Sequence, residues 1–129
     1  MQRKLLILGC VFGMLAVILG AFGAHGLKVV LTEESLTSYE TGVRYQFYHA
    51  FLALIIANTS FFTDKTKNIV FWMLLVGVLL FSGSIYLLTT SAITGVSIKS
   101  FGFVTPIGGV FLILAWLVLI LNILKMNKK

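Results

Sequence analysis

The chain has 129 residues, of which 59% are hydrophobic and only 11% are charged. Soluble domains carry about a quarter charged residues, so this composition excludes an ordinary soluble protein and indicates a membrane protein. The net charge of +6 would suggest nucleic-acid binding in a soluble chain. Here the basic residues cluster at the ends of apolar runs, as in loops at a membrane surface, and no nucleic-acid partner is predicted.

Three uncharged runs are long enough to cross a bilayer: residues 5–24, 69–90 and 103–124, of 20, 22 and 22 residues. At about 1.5 Å per residue, each covers the roughly 30 Å of a hydrocarbon core. A fourth apolar segment, residues 44–62, has a polar end. We therefore predict an all-α fold, an antiparallel four-helix bundle that is integral to the membrane. Residues 1–129 form a single transmembrane domain, with spans at about 5–24, 44–62, 69–90 and 103–124.

The first predicted helix begins with a basic segment that resembles the start of a signal peptide. Its apolar run exceeds the roughly 7 to 15 residues of a cleaved segment, so we expect an uncleaved span. Gly26 is the expected C-cap of this helix. The helix also carries Cys10, and because it is the single cysteine of the chain, an internal disulfide is excluded. Small residues that let another helix approach closely recur on one face at spacings of three and four: Gly9, Gly13, Ala16, Gly20 and Ala24.

The connection to the second span carries a helix-start signal. Thr32 is a favoured N-cap residue, and Glu33 and Glu34 suit the positive end of the helix dipole. Apolar residues then recur at helical spacing up to Phe47. This pattern predicts a short amphipathic helix between the first and second spans, which runs into the second span with a bend near Gly42.

Polar side chains continue from this connection into the second span. Ionisable groups inside a membrane are costly and indicate a functional site by default. We therefore expect an outer cluster in which Glu40 neutralises Arg44 and His49 turns toward the glycine-rich first helix. The candidates for binding a ligand or a lipid are His25, Glu40, Arg44, Gln46, Tyr48 and His49.

Each of these residues also has a structural interpretation. Glu40 and Arg44 are four residues apart, as in a surface ion pair, while His25 could cap the first helix and His49 could be satisfied inside the bundle. The two histidines and Glu40 lack the spacing of a metal site, so no metal or cofactor is predicted. The sequence shows neither a nucleophile with a base nor paired acids, and the prediction is that the protein is not an enzyme.

The last two spans carry small residues at heptad spacing, the expected contact surface of a left-handed bundle in lipid. Thr105, followed by proline, is the expected N-cap of the final helix. The residues predicted to line helix–helix contacts are Gly13, Gly20, Gly77, Ser84, Gly108 and Ala115.

The distribution of basic residues predicts the orientation. Seven lie in the two termini and the second loop, whereas only Lys28, Arg44 and Lys99 lie on the other side. Because basic loops stay in the cytoplasm, we expect a multi-pass cell-membrane protein with both termini cytoplasmic.

Four segments, in order and spacing, resemble the signatures of a known family: residues 20–27 (GAFGAHGL), 41–50 (TGVRYQFYHA), 81–86 (FSGSIY) and 105–109 (TPIGG). They are similar to the domain-of-unknown-function family numbered four hundred and twenty-three, the YgdD-like small membrane proteins. The resemblance implies a four-helix integral membrane protein and brings no established reaction, substrate or catalytic residue.

The function expected from these observations is support of membrane organisation or integrity through lipid or protein contacts. Membrane lipids, a second copy of the chain or another membrane protein would be the partners. The alternative is a small oligomeric transporter or channel that uses the outer-half polar cluster.

Overall fold

The computed structural model describes residues 1–95 and 102–126. Lys99 and the last two lysines, which contribute to the charge asymmetry, lie outside the described residues. Within the described ranges the chain is all-α and contains no strand. Its elements are α1 (Gln2–His25), a short 3-10 helix (Leu27–Val29), α2 (Glu33–Asn58), α3 (Asp64–Thr89), α4 (Ser91–Thr94) and α5 (Val104–Leu124).

Local hydrogen bonds set several of these helix boundaries. Thr32 caps α2, since its side-chain oxygen accepts from the N–H of Ser35 at 3.1 Å. Thr63 caps α3 in the same way, 3.2 Å from the N–H of Thr66. Gly26 is the C-cap of α1. The caps expected at Thr32 and Gly26 are therefore confirmed, and the hydroxyl at each helix start satisfies a backbone N–H that the helix leaves free.

The helix α2 is continuous over 26 residues. The segment expected to form a separate short amphipathic helix is instead its first half, and the helix is unbroken at Gly42. A Cβ at Gly42 would lie 3.0 Å from the Tyr86 ring. The absence of a side chain at Gly42 therefore lets α2 approach α3 closely. Tyr39 and Val43 are buried on either side of Gly42, and that burial favours an uninterrupted helix.

The final helix differs from its predicted start. It begins at Val104, with Phe103 as N-cap and no side-chain capping bond. The prediction that Thr105 caps α5 is wrong, because the hydroxyl of Thr105 hydrogen-bonds to that of Ser84 in α3. The Thr105 hydroxyl therefore bonds to a side chain of the neighbouring helix instead of to a backbone N–H of its own helix.

The long helices pack as two pairs, α1 with α2 and α3 with α5, and the pairs meet where α2 contacts α3. In each pair, the start of one helix faces the end of the other. Gly9 in α1 faces Ala50 in α2, and Gly108 in α5 faces Phe81 in α3. By contrast, α1 touches α3 only lightly.

The buried core includes residues from all four long helices. Its larger cluster comprises Leu5, Leu8, Phe12, Ala50, Leu52, Ala53, Ile56, Ala57, Val70, Leu74, Val78, Leu112, Ala115 and Leu119. Many large apolar side chains nevertheless remain exposed, particularly on α1 and α5. Because such a surface is unfavourable in water, it is suited to contact with lipid.

Three helical stretches are long and apolar enough to cross a membrane: Gln2–Val29, Asp64–Thr89 and Val104–Leu124. The polar helix α2 does not meet this criterion, although its 26 residues extend about 39 Å.

Candidate functional site

The buried side chain of Gln46 connects three helices. It lies on the inward face of α2 and is 3% exposed. Its amide nitrogen donates to the carbonyl of Phe12 in α1 at 2.8 Å. Its amide oxygen accepts from the hydroxyl of Tyr86 in α3 at 2.7 Å. Both ends of the amide are therefore paired within the protein.

Two tyrosines and a serine extend this arrangement. The rings of Tyr39 and Tyr86 lie 5.2 Å apart, and the Tyr39 hydroxyl donates to the carbonyl of Leu19 at 2.6 Å. Ser82 donates to the carbonyl of Gly42 at 2.7 Å. Buried polar groups are costly unless paired, and here each is paired across a helix boundary. We call the side chains of Tyr39, Gln46, Ser82 and Tyr86 the polar network.

His49 connects α2 to α5. Its Nε2 accepts a hydrogen bond from the Trp116 indole N–H at 3.1 Å, and its Nδ1 lies 2.7 Å from the carbonyl oxygen of Tyr45. Because an indole N–H can only donate, Nε2 must be the acceptor and Nδ1 carries the proton. The histidine in this arrangement is neutral.

The prediction that His49 turns toward the glycine-rich α1 is wrong, because the ring faces α5. The physical reason is the indole N–H of Trp116, which lies within an apolar helix and needs an acceptor. The neighbouring turn of α2 supplies one.

Arg44 and Glu40 lie at the exposed end of α2. Arg44 donates to the hydroxyl of Thr41 at 2.9 Å. Among the described residues the structure gives no ion pair between Arg44 and Glu40. Both side chains line a shallow pocket of about 290 Å³, together with Gly20, Tyr39, Val43 and Phe47.

The six predicted binding residues therefore separate into two groups. Gln46 and His49 are buried and have partners in other helices. His25, Glu40, Arg44 and Tyr48 are exposed. The expected single cluster is not assembled, because the inward face of α2 makes the helix contacts while its outward face carries the charged groups.

The predicted packing residues also differ in their surroundings. A Cβ at Gly77 would lie 2.6 Å from the side chain of Leu112, and one at Gly108 would lie 2.7 Å from the Leu80 carbonyl carbon. Ser84 and Ala115 are buried. Gly20 has only ordinary contact with Val43, whereas a Cβ at Gly13 would meet nothing within 4 Å.

A second polar contact joins α3 to the end of α5. The Thr66 hydroxyl donates to the side-chain oxygen of Asn122 at 2.8 Å. Nearby in the sequence, the residue Lys67 is 8% exposed, and its ammonium donates to the carbonyl of Thr59 at 2.7 Å. This hydrogen bond joins the start of α3 to Thr59, the C-cap of α2. It offsets the free-energy cost of burying the lysine charge.

Sequence reasoning missed Tyr39, Ser82 and Trp116 as partners of the buried groups. Trp116 had a detectable signal, since an indole donor in the middle of an apolar run requires an acceptor. Tyr39 and Ser82 had none, because their partners are backbone carbonyls that only the packing brings near.

The buried polar atoms in the described part of the chain already have hydrogen-bond partners within the protein, which leaves few of them available to bind a substrate. Within residues 1–95 and 102–126, no buried side-chain nitrogen or oxygen lacks a hydrogen-bond partner. The same residues contain no group of three His, Cys, Asp or Glu side chains that could hold a metal ion. The polar network is thus a set of helix-to-helix connections, whereas Glu40 and Arg44, which line the shallow pocket, are exposed.

The sequence of this chain is similar to those of small membrane proteins. Residues 19–109 match the model of a family described as a protein of unknown function, DUF423. A UPF0382 membrane protein of Staphylococcus aureus is 40% identical over 124 residues, which cover 96% of this chain and 98% of the relative. The UPF0382 membrane protein YwdK of Bacillus subtilis is 39% identical over 129 residues, with the same coverage of both chains.

A more distant relative has the same description. A UPF0382 membrane protein of Haemophilus influenzae is 35% identical over 117 residues, covering 91% of this chain and 90% of the relative. No solved structure matches the chain.

Proposed function

We propose a non-enzymatic role in membrane organisation for this chain, which belongs to the DUF423 family of membrane proteins of unknown function. In this proposal the protein supports membrane organisation or integrity through contacts with lipids or with membrane proteins, including further copies of itself. The relatives are described only as membrane proteins, and the support for this role comes from the geometry of the chain.

The main support for the proposal is that the polar network is fully hydrogen-bonded within the protein. Gln46 pairs with two other helices, and buried polar atoms of the described residues have partners inside the chain. A reaction site or a conduction path would require polar groups that are open to a substrate. The large exposed surface is instead apolar, as suits a protein that acts through its contacts with lipid and with other helices.

The proposal includes the arrangement in the membrane. We place all four long helices across the cell membrane as one antiparallel domain, with spans at about 5–24, 69–90 and 103–124 and a fourth crossing within α2. Because α2 ends at Asn58, this crossing ends before the expected position 62. Both termini lie in the cytoplasm, as the basic residues favour. The length of α2 supports its inclusion, since its roughly 39 Å exceeds the hydrocarbon thickness.

The transporter alternative has less support, because it needs the outer polar residues to face one path. Gln46 and His49 are held in the interior by other helices, whereas Glu40 and Arg44 are exposed. A transporter would have to form its path from the exposed groups of several copies.

Two measurements test the proposed function. Deleting the gene should increase uptake of a membrane-impermeant dye, and the wild-type chain should restore the barrier. Purified protein in liposomes should carry no saturable flux in a panel of ions and metabolites. Saturable flux that is lost in Arg44→Ala would support the transporter, and an unchanged barrier in the deletion strain would contradict a role in membrane integrity.

A further inference from the structure

A continuous groove runs between α1 and α3, where these helices touch only lightly. It consists of three adjoining pockets of about 270, 190 and 340 Å³. The first two share Phe12, and the last two share Leu19 and Tyr86. The lining of this α1–α3 groove extends from Lys4 to Leu27, and a helix rises about 35 Å over that distance.

The side chains that line the groove are mainly apolar and therefore favour an apolar ligand. The pocket nearest the N-terminus is lined by Lys4 and by apolar side chains that include Leu8, Val11, Phe12, Phe71 and Leu75. Polar side chains reach the groove in its middle, at Gln46, Ser82 and Tyr86. These three are already paired within the protein, so they do not require a polar ligand.

A flexible hydrocarbon chain fits this setting. Neighbouring pockets share lining residues, so one chain can pass from one pocket to the next, and most of the lining side chains along this path are apolar.

Positive charge lies at one end of the groove. Lys4 lines the pocket through the apolar stem of its side chain, and the residue is exposed, so its ammonium lies in the headgroup region beside the pocket. The helices α1 and α3 both begin at this end, since Phe12 and Phe71 line the first pocket, and Leu19 and Tyr86, further along both helices, line the next. Their N-termini add partial positive charge there, with Asp64 as an acidic residue in the first turn of α3.

We propose that the α1–α3 groove binds an anionic phospholipid, with the lipid phosphate at Lys4 and one acyl chain between Leu8, Val11 and Phe71. The positive charge of Lys4 fits the phosphate of such a molecule, and the apolar pocket beside it fits the acyl chain. This inference rests on the proposed function and names the lipid class and the place where it binds.

Native mass spectrometry of the purified full-length protein in detergent tests the headgroup contact. Phosphatidylglycerol should bind more tightly than phosphatidylcholine with the same acyl chains. Lys4→Gln should weaken phosphatidylglycerol binding about fivefold, as expected for one lysine near an anionic lipid. The matched control is Lys65→Gln, which removes an exposed charge from the first turn of α3 but not from the pocket lining. Equal weakening by both variants would overturn the proposal, because it would indicate general attraction to a basic surface.

A second pair of variants tests the acyl-chain contact. Val11→Phe adds bulk inside the groove, whereas Val17→Phe adds the same bulk on an exposed face of α1. We expect Val11→Phe to weaken binding of both lipids several-fold and Val17→Phe to leave it unchanged. Equal effects of the two variants would contradict the groove as the binding place. Should Val11→Phe fail to fold, the comparison of the two lysine variants decides alone.

These outcomes separate the site from the role. A barrier defect in the deletion strain combined with equal binding by the two lysine variants would overturn the lipid site and leave the proposed function standing. If Lys4→Gln weakens phosphatidylglycerol binding more than Lys65→Gln does, and the deletion strain has no barrier defect, the lipid site would stand and the proposed role in membrane integrity would be contradicted.

Discussion

His49 and Trp116 link α2 to α5 through a hydrogen bond between two ring nitrogens, 3.1 Å apart. The rings also meet at an angle of 71° with their centroids 6.1 Å apart. Removing either side chain leaves the polar group of the other without its partner in this part-buried contact, so the pair should behave as one unit.

A double-mutant cycle measures this coupling. We expect His49→Leu and Trp116→Phe to show an interaction free energy of about 1 kcal/mol, within the range found for side-chain hydrogen bonds in membrane proteins. The measurement is the free energy of unfolding in detergent micelles. The comparison cycle is Glu40→Ala with Arg44→Ala, which should be additive within about 0.5 kcal/mol because Arg44 bonds to Thr41 instead. Additive effects at His49 and Trp116 would show that their contact contributes little to stability.

Two adjacent glycines in α5 differ sharply in their surroundings. A Cβ at Gly108 would lie 2.7 Å from the Leu80 carbonyl carbon, which belongs to the backbone of α3, whereas one at Gly109 would lie 3.6 Å from the Phe81 ring. Backbone atoms cannot move aside as a flexible side chain can, so the helices must separate at Gly108.

We therefore expect Gly108→Ala to lower the free energy of unfolding by about 1–3 kcal/mol, the usual cost of overpacking. Gly109→Ala is the matched control and should be neutral or slightly stabilising, since alanine favours a helix. Thermal unfolding of both variants in the same detergent compares them directly. Equal melting temperatures would mean that α3 and α5 do not approach closely at this point.

The packing glycines show what residue spacing can and cannot predict. Heptad spacing selected Gly77 and Gly108, which meet the neighbouring helix directly. Spacing of three and four also selected Gly13, which meets nothing within 4 Å. A regular spacing identifies a face of a helix, but the tertiary arrangement decides which part of that face is covered.

At the scale of the elements, α2 occupies the central position. It contacts both α1 and α3, and its buried residues include the polar Gln46 and His49. Hydropathy undervalues such a helix, since it counts side chains that point into the bundle as if they faced lipid. This is the physical reason why three stretches meet the criterion for a span while a fourth long helix does not.

The contact between Tyr86 and Gln46 fastens α3 to the α1–α2 pair. Tyr86→Phe keeps the ring but removes the hydroxyl that donates to the Gln46 amide oxygen. Leaving that buried acceptor unpaired should cost about 1–3 kcal/mol of unfolding free energy. The control is Tyr48→Phe on the exposed face of α2, which should have no measurable effect. Chemical denaturation in micelles would contradict the account if the two variants unfolded alike.

The helices themselves could be predicted from the sequence much better than their partners. Apolar runs and the cap at Thr32 located the helix segments, because those signals are local. The merging of the predicted amphipathic segment into α2, and the capture of Thr105 by Ser84, depend on contacts between helices far apart in the chain. Local propensity does not contain that information.

At the scale of the whole molecule, the two helix pairs meet where α2 contacts α3. The number of helices that cross the membrane decides where the ends of the chain lie. Four crossings put both termini on one side, in agreement with the distribution of basic residues, whereas three crossings would put them on opposite sides. The crossing of α2 therefore decides the topology of the protein.

Cysteine labelling beyond the two ends of the membrane crossing tests the topology. In a Cys10→Ser background, single cysteines replace two exposed residues, Glu34 in the first turn of α2 and Lys65 in the first turn of α3. A membrane-impermeant maleimide should label position 34 in intact cells and position 65 only after the membrane is permeabilised. Labelling of both positions from the same side would show that α2 does not cross the membrane and would contradict the four-helix account.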